Sequence, residues 1–351
     1  MGVSLVTTVG TGSAAVKLKN VNVAVYTAST PSLPVYAAAS LGYFAQNGLN
    51  VTLDYVASGS AAAAAEAAGS VDFFNTDTPI VLNLDNAGTK TKEIAGLYSR
   101  FPQALYCNST VAATLPTPTG SNANAIFTAL KGVSVGITAV GSLTWEVMEY
   151  GMVAANLPLN YIDLVSAGSS ATAIAAFQSG SIQCLIAYEP MQHELASLNL
   201  GVDVLNWQAG QGPSLYKNFS FSSIGASDSY IKANPKIVEE FARSIYDADK
   251  YISNPKNAAS VAKATLSFFP GFPVATLTSI ISTEISKDLS AIVTPAQFAN
   301  VETEAVAIGE ITIKPSYKSV IYVPTITCVK GKRKLHRAGV LAVCPHGFKT
   351  K

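Results

Sequence analysis

Six short stretches of this chain combine hydroxyl, amide and carboxylate side chains with the Gly or Pro that turns a backbone. They are TASTPS (27–32), SGS (58–60), NTDTP (75–79), GSLT (141–144), AGSS (167–170) and AYEP (187–190). Where such a turn leads into a helix, its hydroxyls and free backbone N–H groups donate hydrogen bonds and favour anionic or polar solutes. Each turn also fits plain helix capping, with no ligand involved. Asp77 and Glu189 are the candidate carboxylate pair for acid–base work, or else acceptors for a ligand or an opposing lobe. Trp145 and Tyr188 flank two of the turns and read equally as core aromatics or as stacking platforms. His193 reads as a solvated helical histidine; His336 and His346 lie near the C-terminus, and no GxSxG is present, so a hydrolase triad is not expected. No GxGxxG follows a strand and no GxxxxGK[ST] occurs, which argues against dinucleotide and nucleotide-phosphate binding.

The elements that must position these turns repeat within the chain. Residues 56–79, VASGSAAAAAEAAGSVDFFNTDTP, and 165–190, VSAGSSATAIAAFQSGSIQCLIAYEP, run in the same order. Each has a strand end, a Gly-Ser turn, an Ala-rich helix, a second Gly-Ser, an apolar strand and a polar close on Pro. The copies lie too far apart for a solenoid and fit two similar α/β lobes. Around them, 21–27 and 49–56 read as strands and 34–48 as a helix stopping at Gly48. In the second half, 132–140 reads as a strand, LTWEVMEYGMVAANL as a helix and YIDLVSAG as the next strand. Residues 234–255 form a long amphipathic helix, and further helices to about Ala307 return to cover the first lobe. Alternating strands and helices predict parallel sheets with right-handed crossovers. Ligands then bind beyond the carboxyl ends of the strands, where the six turns fall.

Composition narrows the function. The chain has 351 residues, 49% apolar and only 13% charged, so Ser, Thr and Asn must wet much of its surface, as is common outside the cytoplasm. No apolar stretch approaches the roughly 18 residues of a membrane span. Net charge is +1, but seven basic and no acidic side chains fall after Val323, leaving 16 basic against 22 acidic in the rest. That acidic body argues against a nucleic-acid partner. The basic segment KGKRKLHR (330–337) reads as a disordered extension or a reading-frame remnant. Of the cysteines, Cys184 reads as a buried inert thiol, Cys328 and Cys344 form a candidate pair, and none has metal-site spacing with Cys107 or any histidine. The first 20 residues lack a charged start and a continuous apolar core, though GSAAVK fits the end of a trimmed signal.

The stretches PVYAAASLGYFAQNGLNVTLDYVASGSAAAAAEAAGSVDFFNTDTP, GVSVGITAVGSLTWEVMEYGM and FQSGSIQCLIAYEP, with NPKIVEEFARSIYDADKYISNP and IGEITIKPSYKSVI, resemble a known family. It is the type II solute-binding proteins of bacterial ABC importers, in the branch for nitrate, taurine, alkanesulfonates and thiamine-precursor pyrimidines (NMT1/THI5-like). The resemblance covers roughly residues 21–322. It implies an α/β fold of two Rossmann-like lobes joined by a two-segment hinge, with the ligand cleft between them. Lobe 1 would comprise 21–104 and 216–322, lobe 2 would comprise 105–215, and 323–351 would be the tail. It implies a non-catalytic, extracytoplasmic monomer that closes on a small solute and delivers it to a membrane permease, without cofactor or metal. By position, Thr30, Ser32, Ser58, Ser60, Asn75, Thr76 and Thr78 would line the cleft from lobe 1. Gly141, Ser142, Leu143, Thr144, Trp145, Tyr188 and Glu189 would line it from lobe 2.

The sequence departs from that family in three ways. Lys and Arg are missing from all six turns, with Arg100 the nearest candidate cation, so a neutral or amine-bearing ring stacked on Trp145 or Tyr188 competes with sulfonate or nitrate. The cysteine cluster of the related fungal pyrimidine synthases is missing too, which weakens the alternative reading as an enzyme of pyrimidine-precursor synthesis. The basic tail falls outside the pattern.

Overall fold

The computed structural model describes residues 18–117, 122–168, 170–339, 346 and 349–350. Ten strands build two five-stranded sheets: β1 (Lys19–Tyr26), β2 (Leu49–Val56), β3 (Phe73–Thr76), β4 (Thr91–Tyr98), β5 (Gln103–Cys107), β6 (Ser134–Ile137), β7 (Asp163–Ser166), β8 (Cys184–Tyr188), β9 (Val202–Asn206) and β10 (Ser222–Ser227). The first sheet has the order β2-β1-β3-β10-β4 and the second β7-β6-β8-β5-β9. Strands β1, β2 and β3 are mutually parallel, as are β6, β7 and β8. The uniformly parallel sheets expected from the strand–helix alternation are corrected by β10 and β5, which each insert antiparallel beside the last parallel strand. Each inserted strand arrives directly from the other sheet, without a crossover helix to set its direction.

The elements follow local chemistry. In β1 the inward Val21 and Val23 alternate with exposed neighbours before Ala24 and Val25 become fully buried beneath both faces' cover. The helix Pro235–Ile252 buries Val238, Phe241, Ala242, Ile245, Ala248 and Ile252, a stripe at three- and four-residue spacing. Its Phe241 ring packs on Phe73 at 4.2 Å and Phe44 at 4.8 Å between centroids, which binds the helix to the first sheet. The single helix expected over 34–48 is instead two, Leu33–Ser40 and Tyr43–Gln46. Gly42 between them has φ +79°, a left-handed conformation that ends the first helix and suits glycine.

The chain crosses between the sheets twice, at 99–102 and 207–221, and the crossings are bonded to each other. Phe101 N donates to Tyr216 O (3.1 Å), Phe219 N to Ser99 O (2.9 Å) and Phe221 N to Tyr98 O (3.1 Å). Phe101 sits at the centre of an aromatic cluster, with Trp207, Tyr216, Phe219 and Phe221 at 4.7–6.0 Å. The segment after Val323, expected as a disordered extension, forms a small antiparallel sheet of β11 (Thr325–Lys330), β12 (Arg333–Ala338) and β13 (Lys349–Thr350). Alternation of ITCV with RKLHR across the Gly331-Lys332 turn explains the hairpin.

Cys184 is not the inert thiol expected: it forms a disulfide with Cys107. The two stand opposite each other on β5 and β8, a neighbour relation created by the antiparallel insertion of β5. Cys328 is likewise disulfide-bonded; Cys344, its expected partner, lies outside the described residues. The Cys107–Cys184 bridge closes a loop of 77 residues. Replacing both cysteines by Ala should cost about 4 kcal/mol by the chain-entropy relation. Urea denaturation of the double variant checks it: the midpoint should fall and the slope should rise, because the freed unfolded chain exposes more surface.

Candidate functional site

The parallel strands of both sheets end facing one another, and the space between is a cleft of about 570 Å3, open mouth included. From the first lobe, the end of β1 brings Tyr26, Thr27, Ser29 and Pro31, the end of β2 brings Val56, Ala57, Ser58 and Gly59, and the end of β3 brings Asp77. From the second lobe, the end of β6 brings Thr138, Ser142, Leu143 and Thr144, and the end of β8 brings Tyr188. The second crossing contributes Phe221, and the first residues of β5 and β10, Gln103 and Ser222, complete the wall between.

Local chemistry fixes each wall. Ser58 caps the helix Gly59–Ala67, its Oγ accepting from Ala61 N at 3.2 Å and lying 3.1 Å from Ser60 Oγ. Asp77 caps the helix Thr78–Asn86 in the same way, with Oδ1 accepting from Ile80 N at 3.0 Å. On the facing lobe, Gly141 takes φ +71° to start the turn into the helix Leu143–Ala154. Thr144 Oγ1 accepts from Thr138 N at 2.8 Å, and Ser142 Oγ donates to Ala139 O at 2.7 Å. These two hydroxyls are 2.8 Å apart, so they knit the turn as well as facing the cleft. Gln103, 3% exposed, differs: its buried side-chain oxygen accepts no hydrogen bond. An unpaired buried amide oxygen is costly unless something else donates to it.

The cleft is electrically quiet. Among the described residues no Lys, Arg or His lines it. Burial drives the Asp77 carboxyl well above the ordinary carboxylate range, the Ile80 N–H opposing this in part, and nearby Glu310 and Glu93 push the same way as burial. Burial likewise holds the Tyr26 and Tyr188 phenols above their ordinary value, so both stay neutral donors. Arg100 faces elsewhere: it pairs with Asp288 at 3.7 Å and lines an outer groove with Trp207, Gln208 and Lys217.

Of the residues expected from sequence, Ser58, Ser142, Leu143, Thr144 and Tyr188 stand in the cleft wall. Others are drawn into the framework behind it. Ser32 Oγ donates to Asn75 Oδ1 at 2.7 Å, and Asn75 Nδ2 donates to Ser222 Oγ at 2.8 Å. Thr76 and Thr78 hydroxyls bond the Asp77 and Ser220 carbonyls at 3.4 and 3.3 Å. Ser60 pairs with Ser58, Gly141 shapes its turn, and Trp145 is half-buried against the core. Thr30 Oγ1 and N both donate to Glu189 O, at 2.7 and 3.3 Å, which ties lobe to lobe, while the Glu189 carboxylate turns to His193. Sequence reasoning did not single out Tyr26, Thr27, Ser29, Pro31, Gly59 or Thr138, although most lie in or beside the quoted turns. It had no signal for Gln103, Phe221 and Ser222, because the ends of the crossings and the strand starts that follow them carry no turn motif.

Comparison with known proteins bears on this geometry. The model of the NMT1-like family matches residues 14–266. The chain belongs to the NMT1-like family. Among curated proteins, the riboflavin-binding protein RibY of Chloroflexus aurantiacus is 26% identical over 243 residues, 68% of this chain. The match spans 62% of that relative's length. Among solved structures, the periplasmic nitrate-binding protein NrtA of Synechocystis is similar at TM-score 0.68 and 15% identity, covering 86% of this chain and 84% of the other. The alkanesulfonate-binding protein SsuA of Xanthomonas axonopodis, bound to MOPS, is similar at TM-score 0.67 and 14% identity, covering 86% and 96%. These likenesses establish the two-lobed periplasmic-binding-protein fold for this NMT1-like chain.

This NMT1-like protein also buries an acid outside the cleft wall. Glu93 on β4 is 1% exposed, and burial raises its pKa from 4.5 to about 8 despite the Thr78 and Ser223 hydroxyls beside it. A carboxyl whose folded pKa is raised contributes stability that is complete below its unfolded pKa and is lost as pH rises through the folded one. Glu93→Gln removes the titrating group. Its stability relative to the parent should therefore improve by about 3 kcal/mol between pH 5 and pH 8, as read from urea denaturation at each pH.

Proposed function

We propose that this protein is an extracytoplasmic solute-binding protein that captures a neutral, ring-bearing small molecule by lobe closure and passes it to the permease of an ABC importer. The observation that carries this is the character of the cleft. Tyr26, Tyr188 and Phe221 offer aromatic surface, Gln103 brings an amide side chain to the wall, and no cationic side chain among the described residues is available to an anion. A flat heterocycle with polar ring atoms matches such walls: rings stack on aromatic faces, and the polar ring edge pairs with the Gln103 amide. Ser58, Ser142 and Thr144 add hydroxyls at the rim from both lobes. Because the half-sites belong to different lobes, a solute touching both favours the closed form, and the Thr30–Glu189 bonds between the lobes act in the same direction.

The similarity to a riboflavin-binding protein supports the ring-bearing class. Nitrate and sulfonate, named for the structural neighbours, would have to rely on hydroxyl and backbone donors beside Asp77. The Cys107–Cys184 disulfide supports an oxidising compartment. A binding rather than catalytic role is supported by the cleft's chemistry, since no serine or threonine in its wall has a histidine base beside it.

Thermal-shift measurement with riboflavin, a thiamine-precursor pyrimidine, nitrate, an alkanesulfonate and taurine tests the reading. A ring ligand at 100 times its Kd should stabilise the protein by about 2.7 kcal/mol, and the anions should not. Gln103→Leu should weaken the ring ligand by about tenfold, the worth of one hydrogen bond to a buried group. A shift with nitrate or sulfonate alone would overturn the neutral-ring assignment, and turnover of a pyrimidine would overturn the binding-only role.

A further inference from the structure

Outside the cleft, three side chains with metal-ligating atoms converge across the lobe boundary. Glu189 follows β8, and its carboxylate reaches forward to His193 in the helix Met191–Ser197, with Oε2 accepting from His193 N at 3.4 Å. Glu284 comes from the other lobe, immediately after the helix Val274–Thr283. Its segment is fixed to the first sheet by Ser99 N donating to Asp288 O at 2.7 Å and Ser290 N donating to Leu97 O at 3.2 Å. One ligating atom from each of Glu189, His193 and Glu284 lies within 4.8 Å of the other two.

Several features separate this cluster from a surface ion pair. Glu189 is 4% exposed, and its backbone is anchored across the lobes by Thr30. His193 Nδ1 lies 2.9 Å from Glu189 Oε1, which leaves Glu284 as a second carboxylate facing the same pair. Two carboxylates this close repel, and an imidazolium supplies one positive charge where a divalent ion supplies two. The His193 side chain is 36% exposed and Glu284 lines an open groove, so an ion has access from solvent.

We propose that Glu189, His193 and Glu284 bind a divalent ion of the zinc class and that the ion clasps the two lobes together. One imidazole and two carboxylates with a water in the fourth position match zinc's tetrahedral preference. Ligand distances of about 2.0–2.2 Å place donor atoms about 3.4 Å apart, so the three side chains need only close by about an ångström. A nitrogen donor disfavours magnesium and calcium, which take oxygen ligands. Because two ligands sit on one lobe and the third on the other, the ion binds most tightly to the closed form. Closure and ion affinity therefore raise each other by the same factor.

The test is calorimetric titration of the chelator-treated full chain with ZnCl2 and, separately, MgCl2. The parent should bind one equivalent of Zn2+ at this site and no Mg2+, and His193→Ala and the isosteric Glu284→Gln should each weaken Zn2+ by about tenfold or more. Hydrogen exchange of the Thr30 N–H should slow when Zn2+ is bound. Circular dichroism checks that each variant is folded, and the isosteric one preserves the test should the alanine variant fail. Zn2+ binding by both folded variants as tightly as by the parent, or no Zn2+ binding by the parent, overturns the site. Unchanged exchange at Thr30 overturns the clasp.

Discussion

The structure depends on the paired crossings between the sheets. Residues 99–102 and 207–221 exchange backbone hydrogen bonds and surround Phe101 with four aromatic rings, so the two lobes share a sealed apolar joint rather than a pair of loose linkers. Aromatic rings in edge-on contact bury large area with specific geometry, which limits the directions in which the joint bends. The same joint decides sheet architecture. A strand leaving it enters the second sheet as β5, and a strand returning enters the first as β10, each antiparallel to its parallel neighbour. The joint also supplies part of the cleft wall through Phe221, and the strands leaving it add Gln103 and Ser222.

Around the joint, small polar residues serve two purposes. Ser58 and Asp77 cap helices, and Thr144 holds the Thr138 N–H, while all three also face the cleft. A hydroxyl can donate once and accept twice, so a cap that uses an acceptor site leaves the donor for something else. Gln103 Oε1 has no partner among the described residues, and the same holds nearby for Trp207 Nε1, Ser220 Oγ and Ser223 Oγ. Buried acids such as Asp77 and Glu93 resist ionisation, which keeps the cleft close to neutral. Charge is concentrated instead at the outer boundary, where Glu189, His193, Glu284, Arg100 and Asp288 lie.

Much of the fold was legible. The strands near 21–27 and 49–56, the long helix after Asn234 and the two copies of strand, turn, Ala-rich helix and strand all appear, since each rests on local periodicity and on capping chemistry within a few residues. Gly42 was missed as a helix stop because the apolar spacing runs on through it to Gly48. The β11–β12 hairpin was missed because a cluster of basic residues outweighed a modest β alternation. For the cleft, the six turns marked the right strand ends, but the residues at a turn diverge in direction. Ser58 and Ser142 face the gap, whereas Ser32, Asn75 and Thr78 bond inward to distant partners such as Ser222 and Ser220.

By itself, then, the sequence determined the lobe-building repeat, the kinship with the NMT1-like family and the small, polar character of the turns without Lys or Arg, all of which depend on residues near one another in the chain. Tertiary structure decided the rest: the antiparallel insertion that sets Cys107 opposite Cys184, the presence of Gln103 in the cleft wall, and the meeting of Glu189 and His193 with Glu284. Each of these joins segments that no local pattern relates. Their partnership exists only once the two crossings have fixed how one lobe lies against the other.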